Sequence, residues 1–146
     1  MKPFFLVSMA LAGLFYATSV SAVSAVFKRD PNVKNLYLLA VDSFSDQESK
    51  DAFAKTIFAL WRPNRPQLIG LNPYRVIISE YVSRLSNYLS KGLDEMAADA
   101  LTTLSMSGNN SDHPIPKDQL DDFIHQAMMQ LEENREAGTG KNTGPK

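Results

Sequence analysis

Cysteine is absent from the 146 residues of the chain, and its absence excludes several classes of site at once. Without thiols there is no disulfide framework, no cysteine-ligated zinc or iron–sulfur centre and no thiol nucleophile. Glycine and proline are also few, at 7 and 8 residues, which excludes collagen-like and low-complexity chains. Hydrophobic residues make up 44% and charged residues 21%, so the composition and length predict one folded domain.

Enzyme motifs are missing as well. Neither the Gly-x-Ser-x-Gly nucleophile turn nor a phosphate-binding Gly-x-x-x-x-Gly-Lys loop occurs in the chain. The chain has two histidines, His113 and His125, whereas a metal site needs three or four ligands. Asp121 and His125 lie four residues apart and share a helix face, which we interpret as solvated surface. The sequence therefore predicts a protein that is not an enzyme and that holds no cofactor and no metal.

The N-terminal segment is typical of a secretory signal peptide. Lys2 is followed by an uncharged, largely apolar run over residues 3–27, in which small residues follow the apolar centre. We predict a signal peptide over residues 1–22 that is cut after Ala22, with a cut after Ala25 as the alternative. The competing interpretation is a membrane anchor through residues 3–27, since about 20 apolar residues cross a bilayer. Cleavage and secretion to the extracellular space are favoured because serine and threonine interrupt the second half of the run.

Two modifications would follow from export. Lys28-Arg29 is a dibasic pair at the end of residues 23–29, a candidate short propeptide, and a solvated charge pair explains the same residues equally well. Asn109-Asn110-Ser111 is an acceptor for N-linked glycosylation at Asn109 within a polar stretch.

The rest of the chain predicts an all-α fold, a small bundle of four to five amphipathic helices over residues 30–137. Apolar residues recur there at helical spacing, and strict alternation is absent. The predicted helices cover residues 31–44, 46–61, 73–91, 93–106 and 116–137. Residues 138–146 hold no apolar side chain that could be buried, which predicts a disordered tail.

Capping residues mark the predicted helix ends. Asp30-Pro31 and Asn72-Pro73 are start signals, Ser45 and Glu48 have the spacing of a capping box, and Gly92 is a stop signal. The residues expected to face the core are Leu36, Leu39, Ala40 and Phe44; Phe53, Ile57, Leu60 and Trp61; Tyr74, Ile78, Tyr81, Leu85 and Tyr88; Leu93, Met96, Ala97, Ala100, Leu101 and Leu104; and Leu120, Phe123, Ile124, Ala127, Met128 and Leu131.

Charge is distributed unevenly along the chain. Residues 28–91 hold ten basic and six acidic side chains, whereas residues 92–146 hold four basic and ten acidic ones. No basic cluster exceeds a pair, which argues against nucleic-acid binding. The candidate interaction surface combines aromatic and basic residues on either side of the loop before the third helix: Trp61, Arg62, Arg65, Tyr74 and Arg75.

These features favour a secreted, non-enzymatic helical protein that acts by binding an extracellular partner such as a receptor, a host protein or a matrix protein. A carrier of small apolar ligands or lipid is one alternative, because serial amphipathic helices suit a lipid surface. A secreted peptide precursor that is processed at Lys28-Arg29 is the other alternative.

Overall fold

Helices make up most of the described part of the chain. The computed structural model describes residues 26–60, 72–110 and 112–143, and it contains no strand in these ranges. The helices are α1 (Pro31–Ser43), α2 (Gln47–Leu60), α3 (Pro73–Ser90), α4 (Asp94–Met106) and α5 (Lys117–Thr143), with a 3₁₀ turn (Ser107–Asn109) after α4. The all-α prediction is confirmed. The predicted signal peptide and its cuts after Ala22 or Ala25 lie outside the described residues.

Helices α1 and α3 begin where the sequence predicts. The Asp30 carboxylate accepts hydrogen bonds from the backbone amides of Asn32 and Val33, at 3.2 and 3.3 Å. The Asn72 side chain accepts one from the amide of Tyr74 at 2.9 Å. In both helices a proline follows the cap, where its missing N–H leaves no bond unmade.

Helix α2 begins one residue later than predicted, and its cap is a different residue. Asp46 Oδ2 accepts a hydrogen bond from the Ser49 amide at 2.9 Å, so Asp46 rather than Ser45 caps the helix. The predicted capping box of Ser45 and Glu48 is therefore wrong, and both side chains are exposed. Tyr88 explains the choice, because its hydroxyl donates to the other oxygen of Asp46 and holds that carboxylate at the start of α2.

Gly92 ends α3 as predicted. Its φ of 74° is left-handed, and the amides of Gly92 and Leu93 donate to the carbonyls of Leu89 and Tyr88 at 3.0 and 2.9 Å. This is the paired C-terminal bonding that glycine makes accessible, and it turns the chain directly into α4.

The last helix extends past residue 137. Helix α5 runs from Lys117 to Thr143 and so overlaps residues 138–143 of the tail, whose disorder stays a prediction. A glycine inside a helix costs about 1 kcal/mol relative to alanine, so Gly138 and Gly140 weaken the helix without ending it. The residue that would end it outright is a proline, and the nearest one is Pro145.

Helix α3 lies at the centre of the core and packs against α1, α2, α4 and α5. Tyr81, fully buried at its midpoint, has its ring centroid 5.2 Å from Phe44, 6.3 Å from Phe53 and 5.5 Å from Phe123. One tyrosine thus joins residues that belong to α2, α5 and the end of α1. Its hydroxyl lies 2.9 Å from the Ser43 hydroxyl, which itself donates to the Ala40 carbonyl at 2.7 Å.

The predicted core is confirmed at most of its described positions, with two exceptions. Met128 is 54% exposed, because it lies one position beyond the buried Ala127 and α5 turns it away from α3. Leu93 is 39% exposed, because it precedes α4 as the N-cap residue. Leu60, Tyr74, Met96, Leu101, Ile124 and Leu131 are partly buried against the core. Trp61 lies outside the described residues.

Candidate interaction surface

Tyr74, a member of the predicted surface, makes contacts within the protein. Its hydroxyl donates to Asp122 Oδ2 at 3.0 Å and to the Gln119 carbonyl at 3.2 Å, and its ring packs edge-on against Phe123 at 5.9 Å. Partial burial, together with the neighbouring Asp122 carboxylate, raises the pKa of Tyr74 well above its usual value of 10, so its hydroxyl remains a donor. Tyr74 therefore links α3 to α5.

Arg75 is the only other described member of that surface, and it is exposed. Trp61, Arg62 and Arg65 lie outside the described residues. The structure thus neither brings the five predicted residues together nor separates them.

A different exposed surface lies on the outer side of α5. The buried residues of α5, Leu120, Phe123 and Ala127, face α3, and the opposite side of the helix is polar. We call this opposite side the acidic face of α5; its exposed members are Asp118, Asp121, Asp122, His125, Met128, Met129, Glu132, Glu133 and Glu136. From residue 117 to residue 137 the helix carries six acidic and two basic side chains.

Both basic residues of this stretch are already paired within the helix. Lys117 Nζ lies 2.9 Å from Asp121, and Arg135 lies 3.3 Å from Glu132. Exposed pairs of this kind contribute little to stability, about 0–1 kcal/mol each, and they do not neutralise the other four carboxylates. The face therefore keeps a negative charge toward solvent.

Methionines interrupt this charge at its middle. Met128 and Met129 are 54% and 51% exposed, whereas the other large apolar side chains of the described part of α5 are buried or partly buried. Methionine is flexible and polarisable, so it adapts to the shape of a partner surface. The sequence pattern placed Met128 in the core and did not indicate its exposure.

A line of polar side chains fastens α2 to α3. It runs from Asp46 and Ser49 through Tyr88 to the ion pair of Arg84 and Glu80, whose Nε and Oε2 atoms lie 3.3 Å apart. Burial raises the pKa of Glu80, and the charge of Arg84 and a hydrogen bond with Thr56 only partly oppose this. Burial acts in the same direction on Asp46, but the hydrogen bonds from Tyr88 and Ser49 outweigh it and lower the pKa of Asp46.

The polar side chains between α2 and α3 have a structural role. They cap a helix and join two helices: Asp46 accepts hydrogen bonds from Ser49 and Tyr88, and Glu80 is ion-paired with Arg84. Sequence reasoning treated Tyr81 and Tyr88 as packing residues and did not anticipate their hydroxyl bonds. The one feature of the sequence that indicates these bonds is the use of tyrosine instead of phenylalanine at positions 81 and 88.

The histidines lie apart. His113 lies in the segment before α5, and its Nε2 atom is 4.0 Å from Oδ2 of Asp42 in α1. His125 is exposed on the acidic face of α5. Within residues 26–60, 72–110 and 112–143, no three side chains of the metal-ligating types converge on one point.

The predicted modification sites differ in how far the structure describes them. Lys28 and Arg29 are exposed at the end of the helical residues 26–29. Asn109 is the last residue of the 3₁₀ turn after α4, while Ser111, which completes the glycosylation motif, lies outside the described residues. None of the helices in the described ranges has the length and hydropathy that crossing a bilayer requires.

Comparisons of the chain with protein-family models, curated proteins and solved structures give no match.

Proposed function

We propose that this chain is a secreted, non-enzymatic helical protein that binds an extracellular protein partner through the acidic face of α5. The signal-peptide pattern of residues 1–22 supports export. The observation that carries the binding role is the pair of half-exposed methionines within an acidic helix face. A matching partner surface presents lysine or arginine around an apolar depression.

The acidic face of α5 is favoured over the other acidic helix for one reason. Helix α4 also exposes three carboxylates, on Asp94, Glu95 and Asp99. Its exposed apolar side chains lie at its two ends, Leu93 before the first carboxylate and Met106 at the C-terminus, whereas Met128 and Met129 lie between the carboxylates of α5. Charge alone steers encounter, whereas binding energy comes from apolar groups that a partner can bury.

The two helices supply a matched pair of variants for a binding test. One variant carries Glu132→Lys, Glu133→Lys and Glu136→Lys on α5, and the control carries Asp94→Lys, Glu95→Lys and Asp99→Lys on α4. Both change three exposed carboxylates to ammonium groups, so their net charges are equal.

The probe is a fluorescent amphipathic helical peptide with one face of lysine and one face of leucine. Binding is measured by fluorescence anisotropy at several salt concentrations. We expect the unmodified protein and the α4 variant to bind it and the α5 variant to lose at least about tenfold in affinity, which is about 1.4 kcal/mol. Equal losses in the two variants would show that only net charge matters and would overturn the assignment to α5.

Export has a separate test. Intact mass and N-terminal sequencing of the protein recovered from cells and from medium should find a medium form that starts at Val23 or Val26. A cell-bound form that keeps Met1 would instead support the anchor through residues 3–27. A mass increment at Asn109 that is removed by an N-glycosidase would place the chain in a glycosylating secretory pathway.

A further inference from the structure

The residues just before the dibasic pair belong to the folded core. Val26 is 3% exposed, and the ring centroid of Phe27 lies 5.4 Å from that of Tyr37. Tyr37 in turn stacks against Phe53 and Phe58, at 5.7 and 6.1 Å. Residues 26–29 therefore continue the aromatic packing between α1 and α2, and we call them the anchor segment.

The backbone of the anchor segment is also held. Residues 26–29 are helical, and the Asp30 amide donates to the Val26 carbonyl at 3.2 Å. On the other side of the pair, the Asp30 side chain caps α1. The bond after Arg29 thus lies between two folded elements, although the Lys28 and Arg29 side chains are exposed.

Exposed side chains are not enough for proteolysis at this bond. A protease cleft binds its substrate as an extended strand over several residues on each side of the cut. To adopt that shape, the chain must break the Asp30–Val26 bond, withdraw Val26 and Phe27 from the core and release the cap of α1. Cleavage of a folded protein at such a bond depends on the fraction of molecules in which the segment is open.

We propose that Val26 and Phe27 protect the Lys28-Arg29 pair from processing, and that the mature folded domain begins no later than Val26 and not at Asp30. The pair is cut only in molecules whose anchor segment has opened. Residues 26–29 are in this account part of the domain, and the propeptide interpretation of residues 23–29 does not apply to the folded protein.

The first test compares the folded chain with an unfolded copy of the same site. Trypsin digests the purified full chain and, separately, a synthetic peptide of residues 24–34, and mass spectrometry follows cleavage after Lys28 and Arg29. Burial of Val26 and partial burial of Phe27 predict that the folded chain is cut about 100-fold more slowly. Rates within about threefold of each other would overturn the proposal. The peptide comparison also cancels any effect of Asp30 and Pro31 on the protease.

The second test asks whether the protection is local. The Val26→Ala, Phe27→Ala double variant should be cut about tenfold faster than the unmodified chain while circular dichroism still shows the helical fold. Met128→Ala, Met129→Ala is the matched control for two truncations at exposed positions and should leave the rate unchanged.

Leu104→Ala is the control for general destabilisation, because Leu104 is fully buried in α4. If Leu104→Ala accelerates cleavage as much as the anchor variant does, the site opens only by global unfolding and the proposed local protection is overturned. If the anchor variant does not fold, the comparison between folded chain and peptide still decides the proposal. Neither test requires that the protein be exported, so failure here is distinguishable from failure of the proposed function.

Discussion

The first three helices and α4 bury different kinds of side chain. Between α1, α2 and α3 the core is aromatic, with Phe44, Phe53 and Tyr81 almost wholly buried and in mutual contact. The inward side of α4 is mostly small, with Ala97 and Ala100 buried beside Leu104. Large rings fill space and fix neighbours, whereas small residues let helices approach closely without adding much apolar area.

The exposed residues also differ between the first three helices and the last two. Helices α4 and α5 expose most of the acidic residues of the chain, and the methionines of α5 are exposed among them. We infer from this comparison that stability is concentrated in α1–α3, and the proposed binding surface lies on α5. The following predictions test this division, from the largest expected effect to the smallest.

Truncation at the centre of the aromatic packing should have the largest effect. Phe53→Ala removes a fully buried ring that contacts Tyr37, Phe44 and Tyr81. We expect a loss of about 3–5 kcal/mol in the free energy of unfolding, measured by urea denaturation followed by circular dichroism. A loss no greater than that of Leu104→Ala would contradict the concentration of stability in α1–α3.

Removal of the buried hydroxyl partner of Tyr81 should cost less. Ser43→Ala leaves the Tyr81 hydroxyl buried without its hydrogen bond, and we expect a loss of about 1–3 kcal/mol. Tyr81→Phe is the milder change, because Ser43 still donates to the Ala40 carbonyl. A double-mutant cycle between the two sites measures their coupling, and a coupling of zero would show that the bond contributes nothing.

The turn that joins the two regions should be sensitive to backbone strain alone. Gly92→Ala adds a methyl group that meets no atom within 4 Å, but it forces alanine to a φ of 74°. The expected loss is about 1 kcal/mol, measured by thermal unfolding. Gly108→Ala is the comparison at an ordinary φ, where the added carbon would lie 3.4 Å from the Leu120 side chain. Equal losses in the two variants would mean that strain at Gly92 is not the cause.

Acid should weaken the contact between α2 and α3. Because the pKa of Asp46 is lowered in the folded state, its contribution is present above the unfolded value of 3.8 and is lost as the pH falls through the folded pKa. Asp46→Asn keeps a capping side chain without the charge. The difference in unfolding free energy between the two proteins should be less than about 1 kcal/mol at neutral pH and should shrink below about pH 4.

The contribution of Glu80 to stability changes with pH in the opposite direction, so it must be separated from the contribution of Asp46. Its raised pKa means that the folded state favours the protonated form, so its contribution improves as the pH falls. The titration is therefore repeated with Glu80→Gln in both proteins. Persistence of the acid-dependent difference in that background assigns it to Asp46, and its disappearance would contradict the assignment.

Changes on the acidic face of α5 should hardly alter stability. Met129→Ala shortens a side chain that is 51% exposed, and we expect a change within about 0.5 kcal/mol. A larger loss, measured by the same urea denaturation, would show that this methionine packs in the core and would remove it from the proposed binding surface.

Local signals in the sequence predicted much of the fold and little of the site. Proline after Asp30 and after Asn72, and Gly92 at the end of α3, act within a few residues and need no tertiary partner. The start of α2 was mispredicted because Asp46 is bonded to Tyr88, 42 residues away. Of the predicted interaction surface, Tyr74 contacts Asp122, which is 48 residues away in sequence.

The sequence alone determined that the described chain is helical, which face of most helices is buried, and where α1 and α3 begin, because helical periodicity and capping depend on neighbouring residues only. The tertiary structure decided which residue caps α2, that Met128 faces solvent and that Val26 and Phe27 pack ahead of the dibasic pair. Each of these depends on contacts between segments far apart in the chain, and such contacts form only when α3 packs against the other helices.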